Sequence, residues 1–419
     1  MTYQAPDWSS NVQSMSYDGQ VAPDMAVGTA GLTWQDLFSE GLPGLLRETG
    51  GSLSYFRNLG DGQIGHEQVL ERQPTLTGLG DATMVEDVGR SGRKAIVAVE
   101  DGVAGFSRLR GETGVDPFRS FESQPTGGVL GDNLRLVELD GDGLADLLQT
   151  DGDYLYWSAS RGEQGFDKAQ RLTFPMRGAG RAAFVFGDAL GRVFLADMSG
   201  DGLTDVVRIE NGQVIYWPNL GRGHFGQPVQ MDAAPVFDHP DQFDLTRLRL
   251  ADIDGSGLAD LCYLSPGGVS VWRNRSGNGW SDRSDLPVLF PKSTPMSDVT
   301  FAEVTGNGTA SVAWVDNRRA GADGAIRFVE LTGGKKPYLL ARVENGMGGE
   351  SKLTYAPSTH YYLQDKRAGR PWVSRIGYPV HCLASQEVID RVTGLHFTSS
   401  YSYHHGAYDP HDREFRGFA

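Results

Sequence analysis

Three short stretches of the chain carry carboxylates at a spacing that suits a hard cation. They are Glu138-Leu-Asp-Gly-Asp-Gly-Leu-Ala-Asp146, Asp197-Met-Ser-Gly-Asp-Gly-Leu-Thr-Asp205 and Asp252-Ile-Asp-Gly-Ser-Gly-Leu-Ala-Asp260. Each places side-chain oxygens at its first, third, fifth and ninth positions, a backbone carbonyl at the seventh, and a glycine at the sixth where the chain must bend. Oxygen donors at this density suit Ca²⁺, which accepts about 6–8 of them in flexible geometry. The ligands would be Glu138, Asp140, Asp142 and Asp146 in the first loop. In the second they would be Asp197, Ser199, Asp201 and Asp205, and in the third Asp252, Asp254, Ser256 and Asp260. Serine removes a charge from the second and third loops, which are therefore expected to bind more weakly than the first. The ion would be structural, because such a loop consumes its ligands on folding. The competing reading is an acidic turn whose carboxylates are satisfied by the loop's own backbone amides.

Loops of this kind need strands on both sides, and the sequence supplies them periodically. Weaker copies begin at Asp36, Asp87 and Glu303, so that six starts follow one another at 51, 51, 59, 55 and 51 residues. A second motif lies about twenty residues after each loop: an aromatic residue, a short polar stretch often containing Asn, then glycines and an apolar residue. Its copies start at Phe56, Phe106, Trp157, Trp217, Trp272 and, in eroded form, Phe328. Units of this length fit four short strands and their turns. Stretches such as Val214-Ile-Tyr-Trp217 have the β-branched and aromatic character of strands, and no sustained helical period is present. The expectation is an all-β chain: a six-bladed β-propeller over residues 31–341 with a small β-rich extension over 342–419. Residues 1–30 carry no repeat; they are expected either to add a strand to the first or last blade or to be partly disordered.

The excess of 53 acidic over 38 basic residues, a formal charge of −15, repels phosphate and anionic lipid. Nucleic acid and direct membrane insertion are therefore not expected. The N-terminus shows no signal peptide and no apolar stretch long enough to span a bilayer. The two cysteines, Cys262 and Cys382, match no metal or redox spacing and are expected to be buried thiols. Six of the nine histidines fall after residue 350, without the spacing of a metalloprotease or hydrolase motif, and adjacent histidines on a strand point to opposite faces. No enzymatic activity and no catalytic residues are expected.

The D-x-D-G-D-G-L-x-D-L unit followed by W-x-N-x-G-x-G-x-F resembles FG-GAP and VCBS-type propeller repeats. Three later stretches narrow this: Glu344-Asn-Gly-Met-Gly-Gly349, Leu353-Thr-Tyr-Ala-Pro-Ser-Thr359 and Arg413-Glu-Phe-Arg-Gly-Phe418. Together with Asp390-Arg-Val-Thr-Gly394 they resemble the region after the propeller in the B component of bacterial toxin complexes, the TcaC/SpvB-like family. The resemblance runs from about Leu32 to Ala419. Family members are far longer, which implies that the chain is a middle portion leading toward an RHS-type shell. It also implies a secreted protein without catalysis that docks on a pore-forming A component, closes the shell built with a C component, and gates the toxin inside. A free-standing propeller that binds carbohydrate or a surface protein is the alternative. Near-identical aromatics such as Trp157, Trp217 and Trp272 would serve it as sugar platforms, or would simply pack between strands.

Overall fold

The computed structural model describes residues 1–18, 32–49, 52–70, 83–100, 103–111, 113–125, 134–151, 154–175, 193–292, 294–319 and 322–419. Among them the chain is all-β apart from short 3₁₀ turns and one α-helix, Ser358–Arg367. Six four- or five-stranded sheets follow one another along the sequence. The fourth is representative: Val193–Ala196, Asp205–Glu210, Gln213–Trp217 and Val229–Gln230 pair antiparallel in chain order. In the sixth sheet, Thr300–Ala302, Ser311–Val315 and Ile326–Glu330 are completed at the outer edge by Gln13–Ser14 from the N-terminus, which pairs with Phe328 and Arg327. Ser16–Tyr17 continues onto the first sheet, parallel to Gln63–Ile64. The N-terminal residues thus bridge the last sheet to the first.

Strand alternation explains how neighbouring sheets stick together. Successive side chains of a strand point to opposite faces, so each central strand hands its apolar residues alternately to the sheet before and the sheet after. Leu147 packs with the second sheet's Val97 and Phe106, while Leu148 packs with Val206 and Trp217 of the fourth. Val207 then joins Leu261 and Trp272 of the fifth sheet, and Cys262 joins Val312 and Trp314 of the sixth. Leu46 and Tyr55 of the first sheet meet Ile96 of the second. Their neighbours Leu45 and Phe56 meet Ala313 and Phe328 of the sixth. Six apolar clusters therefore join six sheets, and the last runs from sheet six back to sheet one. Burying each of the larger side chains contributes about 1.5–3 kcal/mol, and Phe56, wholly inaccessible, belongs to that last cluster.

The C-terminal part forms its own sheet. Leu340–Glu344, Gly349–Pro357, His381–Asp390 and His396–Ser400 pair in order, and Thr2–Tyr3 adds to the first of these strands. The α-helix lies between the second and third strands. No helical period marks it in the sequence, and the element is short and polar; it buries Thr359, Tyr361, Tyr362 and Leu363 against what surrounds it. Cys262 and Cys382 are buried free thiols.

Candidate functional site

The acidic loops all occupy one connection, between the first and second strands of each sheet. The first carboxylate of each closes its own turn. Asp36 accepts from the amides of Phe38, Glu40 and Gly41, and Asp87 from those of Gly89 and Gly92. Asp197 accepts from Gly200 and Gly202 at 2.7 and 2.8 Å. Asp252 accepts from Ser256 and Gly257 at 2.9 and 2.8 Å. Glu138 takes the Gly141 amide and Glu303 that of Asn307. Six loops, three of them with few carboxylates, share this self-satisfied first position.

The ninth position does something different. Asp146, Asp205 and Asp260 open the second strand, are almost fully buried, and reach fourteen residues ahead to the second motif. Their Oδ1 atoms accept the amides of Ser160, Asn219 and Asn274, each at 2.7 Å. Burial pushes these carboxyls up, to about 7 for Asp146, about 6 for Asp205 and about 8 for Asp260. They join the loop to the strand pair beside it.

Two of these aspartates meet an asparagine of the second motif, and Asn58 holds the same motif position in the first sheet; in the sequence these were only motif letters. In the structure each is a clamp between sheets. Asn219 donates to Thr204 O in its own loop and to Leu139 O in the loop of the preceding sheet. Asn274 donates likewise to Ala259 O and, at 3.0 Å, to Met198 O. Asn58 donates to Pro43 O and, at 2.7 Å, to Val304 O of the sixth sheet.

The three full loops differ in what else surrounds their oxygens. In the first, Glu138, Asp140 and Asp142 come together, while Asp146 is engaged below with the amides of Leu139 and Ser160. Two arginines from elsewhere face this group: Arg90 binds Asp142 at 2.6 Å, and Arg413 lies 3.9 Å from Glu138 and also donates to Gly141 O. In the second, Asp197, Ser199, Asp201 and Asp205 do not converge; both oxygens of Asp197 and both of Asp205 are taken by backbone amides. In the third, Asp252, Asp254 and Asp260 converge, with one oxygen from each within 4.8 Å of the others. Ser256 turns its hydroxyl to the Leu258 amide at 3.4 Å. An all-oxygen set of this kind fits a divalent cation such as Ca²⁺.

The C-terminal unit sits on the same side of the sheets as these loops. Tyr362 and Lys366 of the helix, together with Arg57, converge on the buried Glu40 of the first loop. Thr359 donates to Gly306 O of the sixth. Arg375 donates to Phe38 O at 2.8 Å, and Arg367 binds Asp61 at 2.7 Å. Leu42 of the first loop is part of the unit's own apolar cluster with Tyr361, Trp372 and Ile376. At the fifth loop, Tyr338 donates to Asp254 at 2.9 Å and accepts from Arg273. The acidic loops are thus a mounting surface for the C-terminal unit.

Comparison with known proteins gives this arrangement a context. Residues 274–419 match the family described as the insecticide toxin TcdB middle/N-terminal region. The whole chain is similar to a chain in the Photorhabdus luminescens Tc holotoxin pore, with 27% identity, a TM-score of 0.79 and coverage of 100% of this chain but 19% of that one. Crystal structures described as TcdB2–TccC3 and TcdB2–TccC3–Cdc42 also match over the full chain. Their identities are 27% and 26%, their TM-scores 0.65 and 0.66, and the chain covers 20% and 19% of theirs. The chain therefore spans about a fifth of the length of the solved chains it matches. No curated protein sequence matches it significantly. The resemblance to the B component of Tc toxins, read first from the repeats and the C-terminal motifs, is borne out by these matches.

Proposed function

We propose that the six sheets are the blades of a closed β-propeller that docks a toxin-complex B component onto its pore-forming A component and gates the toxin enclosed with the C component. The observation that carries this reading is the run of six apolar clusters whose last member joins sheet six to sheet one, reinforced by Gln13–Ser14 on the sixth sheet and by Asn58 reaching Val304. Sheets arranged radially surround an axis, and an axis of this kind offers a passage that can be opened or closed. The chain works by binding and carries out no catalysis, and it acts outside the producing cell.

A propeller built from these sheets has two unlike ends. In an antiparallel blade the first and third connections emerge at one end, and the second connection and the link to the next blade at the other. The C-terminal unit occupies the first end, where the acidic loops are. Docking then falls to the opposite end, where the links between blades carry Val236 and Leu289, exposed at 68% and 76%. The test is biolayer interferometry of this chain against a purified A-component pore complex. Saturable binding is expected; a folded chain that does not bind would overturn the docking role.

A further inference from the structure

We propose that the second loop, Asp87–Ala95, and the C-terminal unit facing it form a binding site for a small phosphate-bearing molecule. The loop follows the repeat in outline but inverts its charge. Asp87-Val-Gly-Arg-Ser-Gly-Arg-Lys-Ala95 keeps the first carboxylate and has none at the third, fifth or ninth position. Arg90, Arg93 and Lys94 enter instead, at the fourth, seventh and eighth. In a chain with a formal charge of −15, cations this close together make a local field of the opposite sign. They line a cavity of about 690 Å³ between the loop and the C-terminal unit, which adds Arg375 and Arg413. That volume lies within the roughly 300–1,000 Å³ of small-ligand sites. The carboxylates in the wall are engaged elsewhere. Asp36 and Asp87 turn their oxygens to the amides of their own loops, and Glu86 lies 3.6 Å from Lys94.

The second observation is the way the arginines are held. The fourth position of the loops has left-handed backbone: Gly141, Gly200, Gly255 and Gly306 stand there with φ of 73–81°. Arg90 takes that position with φ 49°, a conformation that disfavours a residue with a Cβ, where glycine would serve the turn alone. Its Nη2 donates to Asp142 at 2.6 Å, which fixes the guanidinium, while its Nε is buried and has no acceptor. Arg375 is fixed by one nitrogen on Phe38 O at 2.8 Å, and Arg413 by one on Gly141 O. A guanidinium has five N–H donors, so all three are anchored with donors to spare. Arginines placed in this way suit a bidentate grip on phosphate oxygens. The Ser374 hydroxyl of the same cavity is also buried without a partner, and such groups are costly unless something binds them. At the rim Tyr378 meets Tyr408 edge to face at 5.5 Å. Tyr378 is 41% exposed and offers a ring to the organic part of a ligand.

The test titrates the whole chain with pyrophosphate and with ATP by calorimetry, at low salt so that charge is not screened. EDTA is present throughout, so that no metal bridges a phosphate to the acidic loops. One molecule bound per chain is expected. Tighter binding of ATP assigns an organic phosphate resting on Tyr378; pyrophosphate binding as well or better assigns an inorganic one. Arg90→Gly, which installs the residue of the sister loops, and Arg93→Ala should each weaken binding by about tenfold or more. Lys292→Ala, at the other end of the sheets, should leave it unchanged. Melting curves check that each variant is folded; if Arg90→Gly does not fold, Arg93→Ala decides. Binding of neither ligand by the folded chain, undiminished binding by the deciding variant, or an equal loss in Lys292→Ala would each overturn the site. Docking to the A component is read in a separate experiment, so the two proposals fail independently.

Discussion

At the scale of single residues, stability rests on a few polar side chains in the second motif. Asn274 satisfies two buried carbonyls in adjacent sheets while its own carbonyl holds the Gly277 amide at 2.8 Å. Asn274→Ala should therefore cost about 2–4 kcal/mol, because it leaves buried groups unpaired rather than merely deleting a contact. Asn274→Asp should be no better, since a carboxylate cannot donate to Met198 O. Urea denaturation reads both, and a loss below about 1 kcal/mol would remove the clamp from the account. Glu303 makes a second prediction. Burial lifts its carboxyl from the usual 4.5 to about 7. A raised carboxyl means the folded state holds its proton longer than the unfolded chain does. Its full contribution is present below about pH 4.5, declines as pH rises, and is lost above about pH 7. Glu303→Gln should be near neutral at pH 4.5 and stabilising by about 2 kcal/mol at pH 8 relative to the native chain, as read from melting curves across that range. A difference independent of pH would contradict this. The sequence made the carboxylates easy to find, but not their employment. Arg90, Arg413 and Tyr338 lie far along the chain from the loops they meet, and nothing local in Glu138–Asp146 announces that arginines will face it.

At the scale of elements, the sequence reading and the structure agree where the pattern is local. The acidic loops and the aromatic motif mark the first-to-second and third-to-fourth connections of the sheets, and alternation along Asp146–Asp151 or Asp205–Glu210 reads directly as strands facing two neighbours. What lacked a local signature could not be placed. A strand added by residues 1–30 was expected, but Gln13–Ser14 has no periodicity to locate it, and its position comes wholly from the edge of Ile326–Glu330. The helix Ser358–Arg367 is a single short, polar element, marginal in isolation, and it is held by the first and sixth loops through Tyr362, Thr359 and Lys366. A deletion of residues 1–17 tests the bridging role of the N-terminus. It strips the sixth sheet's outer strand, the parallel pairing on the first sheet, and Met15, which is buried in the cluster those two sheets share. The melting temperature should fall by about 5–10 °C, and scanning calorimetry would expose an unchanged transition as evidence that these residues are dispensable.

At the scale of the whole molecule, one end of the sheets carries the C-terminal unit; the proposed docking role assigns the A component to the other end, and this division can be checked by charge. Val236→Glu and Leu289→Glu should each lower affinity for the A component by about tenfold, because a carboxylate at the centre of an interface must be desolvated. Leu220→Glu, equally exposed at 67% but at the end that carries the C-terminal unit, should have no effect. Interferometry on the three variants decides, and equal losses in all three would mean that the faces are not distinguished. The joint between the first and sixth sheets has a further consequence for biogenesis. Asn58 and Val304 stand 246 residues apart, whereas the equivalent clamps Asn219–Leu139 and Asn274–Met198 span 80 and 76. During synthesis the first five sheets can stack one by one as they emerge from the ribosome, each finding its neighbour already in place. The first sheet, however, keeps one flank of Leu45, Phe56 and Ile64 bare until Ala313 to Phe328 have been made. That bare flank is the most aggregation-prone moment in the life of the chain, and sealing it, a long-range contact with a large entropic penalty for loop closure, is the step expected to set the folding rate.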